Sequence, residues 1–435
     1  MRVATRTLVV LLIILAGLVW YARAPAPSDS STKQPASDDA TIERGRYLAL
    51  ASDCGACHTA PGGKPFAGGR IFDSPIGAVV SSNITPDAAT GIGDYTLQDF
   101  DRAVRLGIDR AGSSLVPVMP YPSYGTMSAA DVAAIYAYLR SSVAAVTQRD
   151  DRLWLRWPIG IWRKTFLASE TPAFDAARYS SPQIARGAYL VQGPGHCGAC
   201  HTPRDWSLTE VAMDERSDAY LSGGQVIDGW LAVNLRANKG DGLGAWSMQD
   251  VVDGLAKGRN PTHTVVGSAM GEVIEGSLQY LNADDLEAIA AYLKSLTPAP
   301  NVHSTFEASD KTGSELAAGK DATRGARLYV DNCAACHGTN GRGRVGSIPA
   351  IAGNSSLLAM DPTSMIHLVL AGDVLPATPQ APSRLGMPGF AWRLSDDDVA
   401  ELLTFIRSGW GNNAPRVSEQ DVAKMRASLY PKGAS

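Results

Sequence analysis

Cys54-Gly55-Ala56-Cys57-His58, Cys197-Gly198-Ala199-Cys200-His201 and Cys333-Ala334-Ala335-Cys336-His337 are three copies of one five-residue pattern. Two thiols separated by two residues share one helical turn, where they can add to the two vinyl groups of a porphyrin. The adjacent histidine is then held beneath the metal and offers it a ring nitrogen. The pattern C-x-x-C-H therefore reads as covalent attachment of a c-type haem. All six Cys of the chain lie in these motifs, with three of its seven His. A redox dithiol would not need the following histidine three times. A zinc site needs a fourth ligand, and the first third of the chain has no second His and no third Cys.

Working outward, each motif follows a helix that carries Arg-Gly. These are Arg44-Gly45-Arg46-Tyr47-Leu48, Arg186-Gly187-Ala188-Tyr189-Leu190 and Arg324-Gly325-Ala326-Arg327-Leu328. Each repeat closes with a helix whose N-caps are Ser128, Asn282 and Ser395, with Asp131, Asp285 and Asp398 three residues on. The closing helices end alike, in Ala137-Tyr138-Leu139-Arg140, Ala291-Tyr292-Leu293-Lys294 and Thr404-Phe405-Ile406-Arg407. Gly45, Gly187 and Gly325 are expected to let an aromatic of the closing helix come close to the opening one. The repeats are offset by roughly 140 residues. Gly107, Gly258 and Gly372 align at the ends of mid-repeat helices, so that Asp94-Tyr95-Thr96-Leu97-Gln98-Asp99 falls on Ala245-Trp246-Ser247-Met248-Gln249-Asp250.

The 435 residues suit about three domains. Composition is globular, with 45% hydrophobic residues and 43 Gly, and the formal charge of −4 comes with no basic run for nucleic acid. At the N-terminus Arg2 and Arg6 precede the apolar run Leu8–Trp20, and a Pro/Ser/Asp-rich stretch follows Arg23. This reads as an export signal. The run is short for a spanning helix of about 20 residues, so a cleaved signal and a retained anchor both stay open. Either puts the body of the chain outside the cytoplasm, the compartment that suits this thiol chemistry. Between the first and second repeats, Leu153–Lys164 carries Trp154, Trp157 and Trp162 beside Arg and Lys. It reads as a membrane-interface segment, a surface for a partner subunit, or a linker held on its own chain. Glu419–Leu429 reads as one more amphipathic helix.

The repeat resembles the small cytochrome c domain. More specifically, the chain resembles the three-haem cytochrome c subunit of membrane-bound bacterial dehydrogenases. The stretches that carry this are His58-Thr59-Ala60-Pro61-Gly62-Gly63-Lys64-Pro65-Phe66-Ala67-Gly68-Gly69, Ser82-Asn83-Ile84-Thr85-Pro86-Asp87 and Met119-Pro120-Tyr121-Pro122-Ser123-Tyr124. The resemblance implies an all-α chain of three tandem class I-like cytochrome c domains, at 41–146, 183–298 and 318–412. An export signal or anchor with its linker occupies 1–40, linkers occupy 147–182 and 299–317, and a tail occupies 413–435. It implies three covalently bound haem c, on Cys54 and Cys57, on Cys197 and Cys200, and on Cys333 and Cys336. The axial pairs would be His58 with Met119, His201 with Met270 and His337 with Met387. Each Met is placed in a loop before the closing helix, and Met119 and Met387 precede proline, which stiffens the loop. The interval from Gly107 to Met119 equals that from Gly258 to Met270, whereas the third repeat carries an insert with Pro376, Pro379 and Pro382.

The alignment disposes of rivals. Met248 matches Leu97, Met365 matches core positions, and His367 matches Asp253 and Arg102 and so reads as a solvated polar position. His263 is the runner-up to Met270. His196 is too close to Cys197 to bend back to the iron, and His303 sits in a linker. Asn83-Ile84 and Asn234-Leu235, with Trp230, Trp246 and Tyr95, are candidates for the haem edge or for ordinary core.

Thioether ligation raises the potential compared with two histidines and fills the sixth position. A tenfold shift in a one-electron equilibrium needs only about 59 mV, so modest differences in environment order the sites. No dinucleotide fingerprint, flavin motif or Ser/His/Asp set appears. The resemblance thus implies a periplasmic, membrane-associated relay. It would carry electrons from a dehydrogenase catalytic subunit of flavin, quinone-cofactor or molybdenum type to ubiquinone or a terminal oxidase, with no nucleic-acid partner. The donors would be alcohols, sugars, sugar acids or aldehydes. The alternatives are a haem enzyme such as a peroxidase with one open iron, a free-standing carrier, and a haem-free metal module.

Overall fold

The computed structural model describes Gly17 and residues 38–73, 77–149, 159–167, 172–260, 266–300 and 304–431. The expected export segment apart from Gly17, and Trp154, Trp157, His263 and His303, lie outside them. The described chain is predominantly helical. Its helices of eight residues or more are α1 (Asp39–Ala51), α2 (Ala129–Ser142), α3 (Ile159–Phe166), α4 (Pro182–Gln192), α5 (Met248–Lys257), α6 (Ser268–Gly276), α7 (Ala283–Ser295), α8 (Arg324–Asn332), α9 (Thr363–Ala371), α10 (Asp396–Ser408) and α11 (Glu419–Leu429). Strands are two or three residues long and form four antiparallel pairs. These are β1 (Ile71–Phe72) with β2 (Val79–Val80), β3 (Val226–Ile227) with β4 (Trp230–Leu231), β5 (Thr305–Phe306) with β8 (Asn412–Asn413), and β6 (Gly372–Val374) with β7 (Gly386–Pro388). No helix among the described residues is long and apolar enough to cross a membrane.

The chain divides into two compact units. The first runs to Arg178 and includes Tyr189–His196 and Trp206–Thr209; it holds the first motif. In it α1 crosses α2 at Gly45. A methyl group there would lie 1.9 Å from the Ala134 carbonyl oxygen and 3.0 Å from Tyr138 Cβ. Ser128 caps α2 by accepting from the Asp131 amide, and the Asp131 carboxylate accepts from Arg44 Nε at 2.7 Å. Leu48, Leu97, Phe100, Tyr124, Met127, Val132 and Leu139 close the core over this crossing. Helix α3 is held on its own chain. Trp162 is buried with its indole donating to the Ser207 carbonyl, and Arg163 donates to Ser114. For Trp162 this is the linker reading.

The second unit holds the second and third motifs and repeats the crossing twice. At Gly187 of α4 a methyl would lie 1.9 Å from Ala288 O of α7 and 2.9 Å from Tyr292 Cβ. At Gly325 of α8 it would lie 2.7 Å from Glu401 O of α10 and 2.5 Å from Phe405 Cβ. The expected close approach of the aromatic is present in all three. Each Arg before the glycine pairs with the Asp at the third position of the closing helix: Arg186 forks onto Asp285 at 2.7 and 2.8 Å, and Arg324 reaches Asp398 at 2.6 Å. The arginines are partly exposed, so solvent screens each pair and it contributes little stability. Their value is register: they pin one helix start to the other. The expected caps Ser128, Asn282 and Ser395 are all in place.

The mid-repeat alignment also holds. Thr96 and Ser247 each begin a helix with a reciprocal capping box to Asp99 and Asp250. Gly107, Gly258 and Gly372 end their helices at φ of 63°, 69° and 76°, a conformation only glycine adopts without strain. The expected linker and tail around the third repeat are integral to its packing. Strand β5 pairs with β8, Leu316 joins the core, and α11 buries Val422 while Arg426 donates to Asp396 and to the Ala391 and Leu394 carbonyls.

Gly187→Ala forces a methyl against a helix carbonyl that cannot move without shifting α7. Overpacking of this kind costs about 1–3 kcal/mol. The expected outcome is a lower thermal unfolding midpoint for Gly187→Ala, by an amount that a surface control such as Gly319→Asn does not show.

Candidate haem-binding sites

Each motif folds as one helical turn. The amide of the histidine donates to the carbonyl of the first cysteine at 2.9 Å (His58 to Cys54), 2.9 Å (His201 to Cys197) and 3.0 Å (His337 to Cys333). Thiols and imidazole are thereby presented together. Each imidazole is oriented through Nδ1, which donates to a backbone carbonyl: Ser82 at 2.7 Å, Val233 at 2.7 Å and Pro349 at 3.1 Å. That fixes the tautomer and leaves Nε2 with its lone pair for a metal. Burial lowers the pKa of all three histidines, which keeps the ring neutral as a ligand must be.

None of the six cysteines is paired in a disulfide. Burial pushes Cys54, Cys197 and Cys333 up to about 12 and Cys200 to about 11, so they are protonated and poorly suited to a dithiolate metal site. No group of three or more His, Cys, Asp or Glu that would hold a metal ion occurs among the described residues. A cysteine pair, partly buried in the first two motifs and with Cys333 buried and Cys336 exposed in the third, beside an oriented imidazole fits a covalently attached haem.

Two arginines that the sequence reading passed over support the turns. Arg70 donates to Ala56 O at 3.2 Å and Arg204 to Ala199 O at 3.0 Å, the same position of the first two motifs. Their unequal distances from the histidines hid the equivalence. Asn83 and Asn234 directly follow the carbonyls that orient His58 and His201. Both are buried, and their side chains fold their own loops: Asn83 bonds Thr85, Thr90 and Val146, and Asn234 bonds Arg236, Asn238 and Asp241. Their polar atoms brace the loop that begins at the carbonyl holding the imidazole.

The methionines are placed as follows. Met119 lies in a bend before a short helix and packs, half-buried, on the core that includes Cys54, Phe66 and Ile84. Met387 is in strand β7 and packs on the core that includes Cys333, and Met270 is the third residue of α6. Only Met119 therefore sits in the loop setting expected of all three. Met365 is buried core, as expected, and Met248 is exposed.

His367 corrects the sequence reading. It is buried, stacked on Trp230 with ring centroids 4.3 Å apart, and its Nδ1 donates to Gly229 O at 3.0 Å. Alignment of repeats takes each alone and cannot see a face covered by another. The same contact assigns Trp230 to packing against the third repeat.

Two buried titratable groups flank the attachment turns. His196 packs edge-on to Tyr124, and burial lowers it to about 4. Glu210 lies against Gly198 with Oε2 unpartnered, and burial raises it to about 7. Nothing in the residues around Glu210 marks it, because it lies in an irregular loop.

The chain matches the Cytochrome c family model over residues 42–142 and 322–410; the second motif falls outside both stretches. It is 47% identical to the gluconate 2-dehydrogenase cytochrome c subunit of Pantoea cypripedii over 400 residues, 90% of each chain. It is 44% identical to the cytochrome c subunit of alcohol dehydrogenase (quinone) of Gluconobacter oxydans, over 91% of this chain and 84% of that one. It is 34% identical to the fructose dehydrogenase cytochrome subunit of Gluconobacter japonicus, over 98% and 90%.

The two flanking groups predict opposite pH slopes. His196 binds its proton more weakly folded than unfolded, so stability falls as pH drops from about 6.5 toward 4. Glu210 binds its proton more tightly folded, so stability falls as pH rises from about 4.5 toward 7. Each contributes about 3 kcal/mol over its window. Near pH 5.5 they offset one another in the parent chain. In unfolding midpoints measured between pH 4.5 and 6.5, His196→Asn should tilt the profile downward with rising pH, and Glu210→Gln should tilt it upward.

Proposed function

The chain belongs to the family of cytochrome c subunits of gluconate, alcohol and fructose dehydrogenases and transfers electrons, and from that premise we propose that it carries three covalently bound haem c in three tandem cytochrome c domains. The observation that carries this reading is the threefold recurrence of an imidazole whose Nδ1 donates to a backbone carbonyl on the same helical turn as a cysteine pair. Haem c held there supplies one-electron exchange at its iron.

The chain's own residues set the conditions. The cysteine pairs at 54/57, 197/200 and 333/336 anchor the macrocycle. The carbonyls of Ser82, Val233 and Pro349 hold His58, His201 and His337 and increase their basicity as ligands. Met119, Met270 and Met387 are the proposed sixth ligands. A thioether there would favour the ferrous state and would keep oxygen and peroxide from the iron, so each site would relay electrons and none would activate a substrate. The proposed donor is a dehydrogenase catalytic subunit of flavin, quinone-cofactor or molybdenum type that oxidises an alcohol, sugar, sugar acid or aldehyde. The proposed acceptor is ubiquinone or a terminal oxidase, on the periplasmic side of the inner membrane. The names of the relatives and the apolar N-terminal run support this placement.

Denatured mass should exceed the polypeptide by three haems, and Cys197→Ala with Cys200→Ala should remove one of them. Met119→Ala should abolish the sulfur-to-iron absorption of one site and admit cyanide there. Purification of the tagged chain from its own membranes in mild detergent should bring down a dehydrogenase whose substrate reduces all three haems. A chain that comes out alone, is reduced by none of these donors and turns over peroxide would overturn the relay reading in favour of a haem enzyme.

A further inference from the structure

Within the second unit, the insert of the third repeat is gripped by the second repeat. Arg259, almost fully buried, donates from one guanidinium nitrogen to the carbonyls of Pro376 (3.1 Å), Ala381 (3.1 Å) and Ser383 (2.8 Å). Glu275 of α6 accepts from the Ala377 amide at 2.7 Å and pairs with Arg384 at 2.8 Å. Pro376 seats against Gly258, where a methyl would come within 2.4 Å of its ring. The insert is a clasp with its own socket.

Asp373, just before it, connects both candidate sulfur ligands. Its backbone pairs with Met387 across β6 and β7. Its carboxylate accepts from the Val374 amide at 2.8 Å and fills the space where a side chain at Gly267 would stand, 1.7 Å from that Cβ position and beside the first turn of α6. Gly267 is the N-cap of α6 and has no side chain to cap with. A carboxylate from the third repeat therefore stands in the capping position of the helix whose third residue is Met270.

We propose that Asp373 is a positioning residue for two metal sites at once, and that the clasp it belongs to locks the second and third sulfur ligands into one register. This rests on the proposed ligation by Met270 and Met387. Relay between adjacent sites needs a fixed separation and a stable sixth ligand at each, and one shared residue supplies both constraints. The sites then respond together to any disturbance of Asp373, while the first site, with Met119 in the other unit, does not.

The test uses the full-length haem-loaded protein. Wild type is first checked for sulfur-to-iron absorption at three sites; a missing band at the second or third would overturn the ligand reading and with it this proposal. Asp373→Ala is then compared with Asp373→Asn, which keeps a capping oxygen, and with Arg259→Ala, which loosens the clasp but leaves the cap. Expected for Asp373→Ala is about fivefold faster amide exchange in residues 268–271, the loss of one side-chain cap. Faster exchange in 386–388, and potentials of the second and third haems moving together while the first stays, are also expected. Asp373→Asn should restore the exchange protection, and Arg259→Ala should shift the same two potentials. If Asp373→Ala changes exchange but neither potential, the residue is merely structural. If only one of the two sites moves, or if all three variants match wild type, the coupling is absent.

Discussion

Three glycines, at 45, 187 and 325, allow two helix backbones to approach until a carbonyl lies where a side chain would be. Everything else in each repeat is arranged around that crossing. The opening helix ends within a few residues of its motif, so the angle at which it meets the closing helix bears on where two thiols and an imidazole stand. The Arg–Asp pair at the start of each closing helix sets the rotation, because the Asp is also the third residue after the N-cap and is fixed by it. A small amount of polar energy is thus used to choose one register among the several that apolar packing alone would tolerate.

The next level is the orientation of the imidazole. A histidine on a helical turn can rotate about two bonds, and only a partner on Nδ1 holds Nε2 toward a fixed point. That partner is a main-chain carbonyl in each repeat, and in the first two its loop is braced from inside by a buried asparagine. Carbonyls are insensitive to side-chain substitution. This explains how the three sites share a geometry while Ser82, Val233 and Pro349 have nothing in common as residues.

This also marks what the sequence made legible. The motifs, the helix caps, the crossing glycines, the helix-ending glycines and the last helix were all readable, because each depends on residues near one another in the chain or on a pattern repeated three times. The carbonyl partners left no trace, since any residue carries one. Met270 and Met387 were expected in loops, but flanking residues do not reveal that one lies in a helix capped from elsewhere and the other in a strand paired across an insert. His367 reads as a solvated position from its aligned counterparts, Asp253 and Arg102. Its real environment, a stack on Trp230, belongs to a contact between repeats that comparison of repeats erases.

That contact differs in kind from the crossings. The crossings are apolar apart from one Arg–Asp pair each, whereas the seam between the second and third repeats is built from Arg259, Glu275, Asp373, Ser364 and His367, each bonded to main chain. Apolar surfaces slide at little cost, but a seam of side chains bonded to specific amides and carbonyls has one arrangement in which all are satisfied, and leaving one unmade costs about 1–3 kcal/mol. A polar seam therefore contributes less to holding the repeats together than to fixing how they are held. On the proposed reading, in which neighbouring sites exchange electrons, the constant that matters is the distance and orientation between them, and a seam of this composition keeps both from drifting.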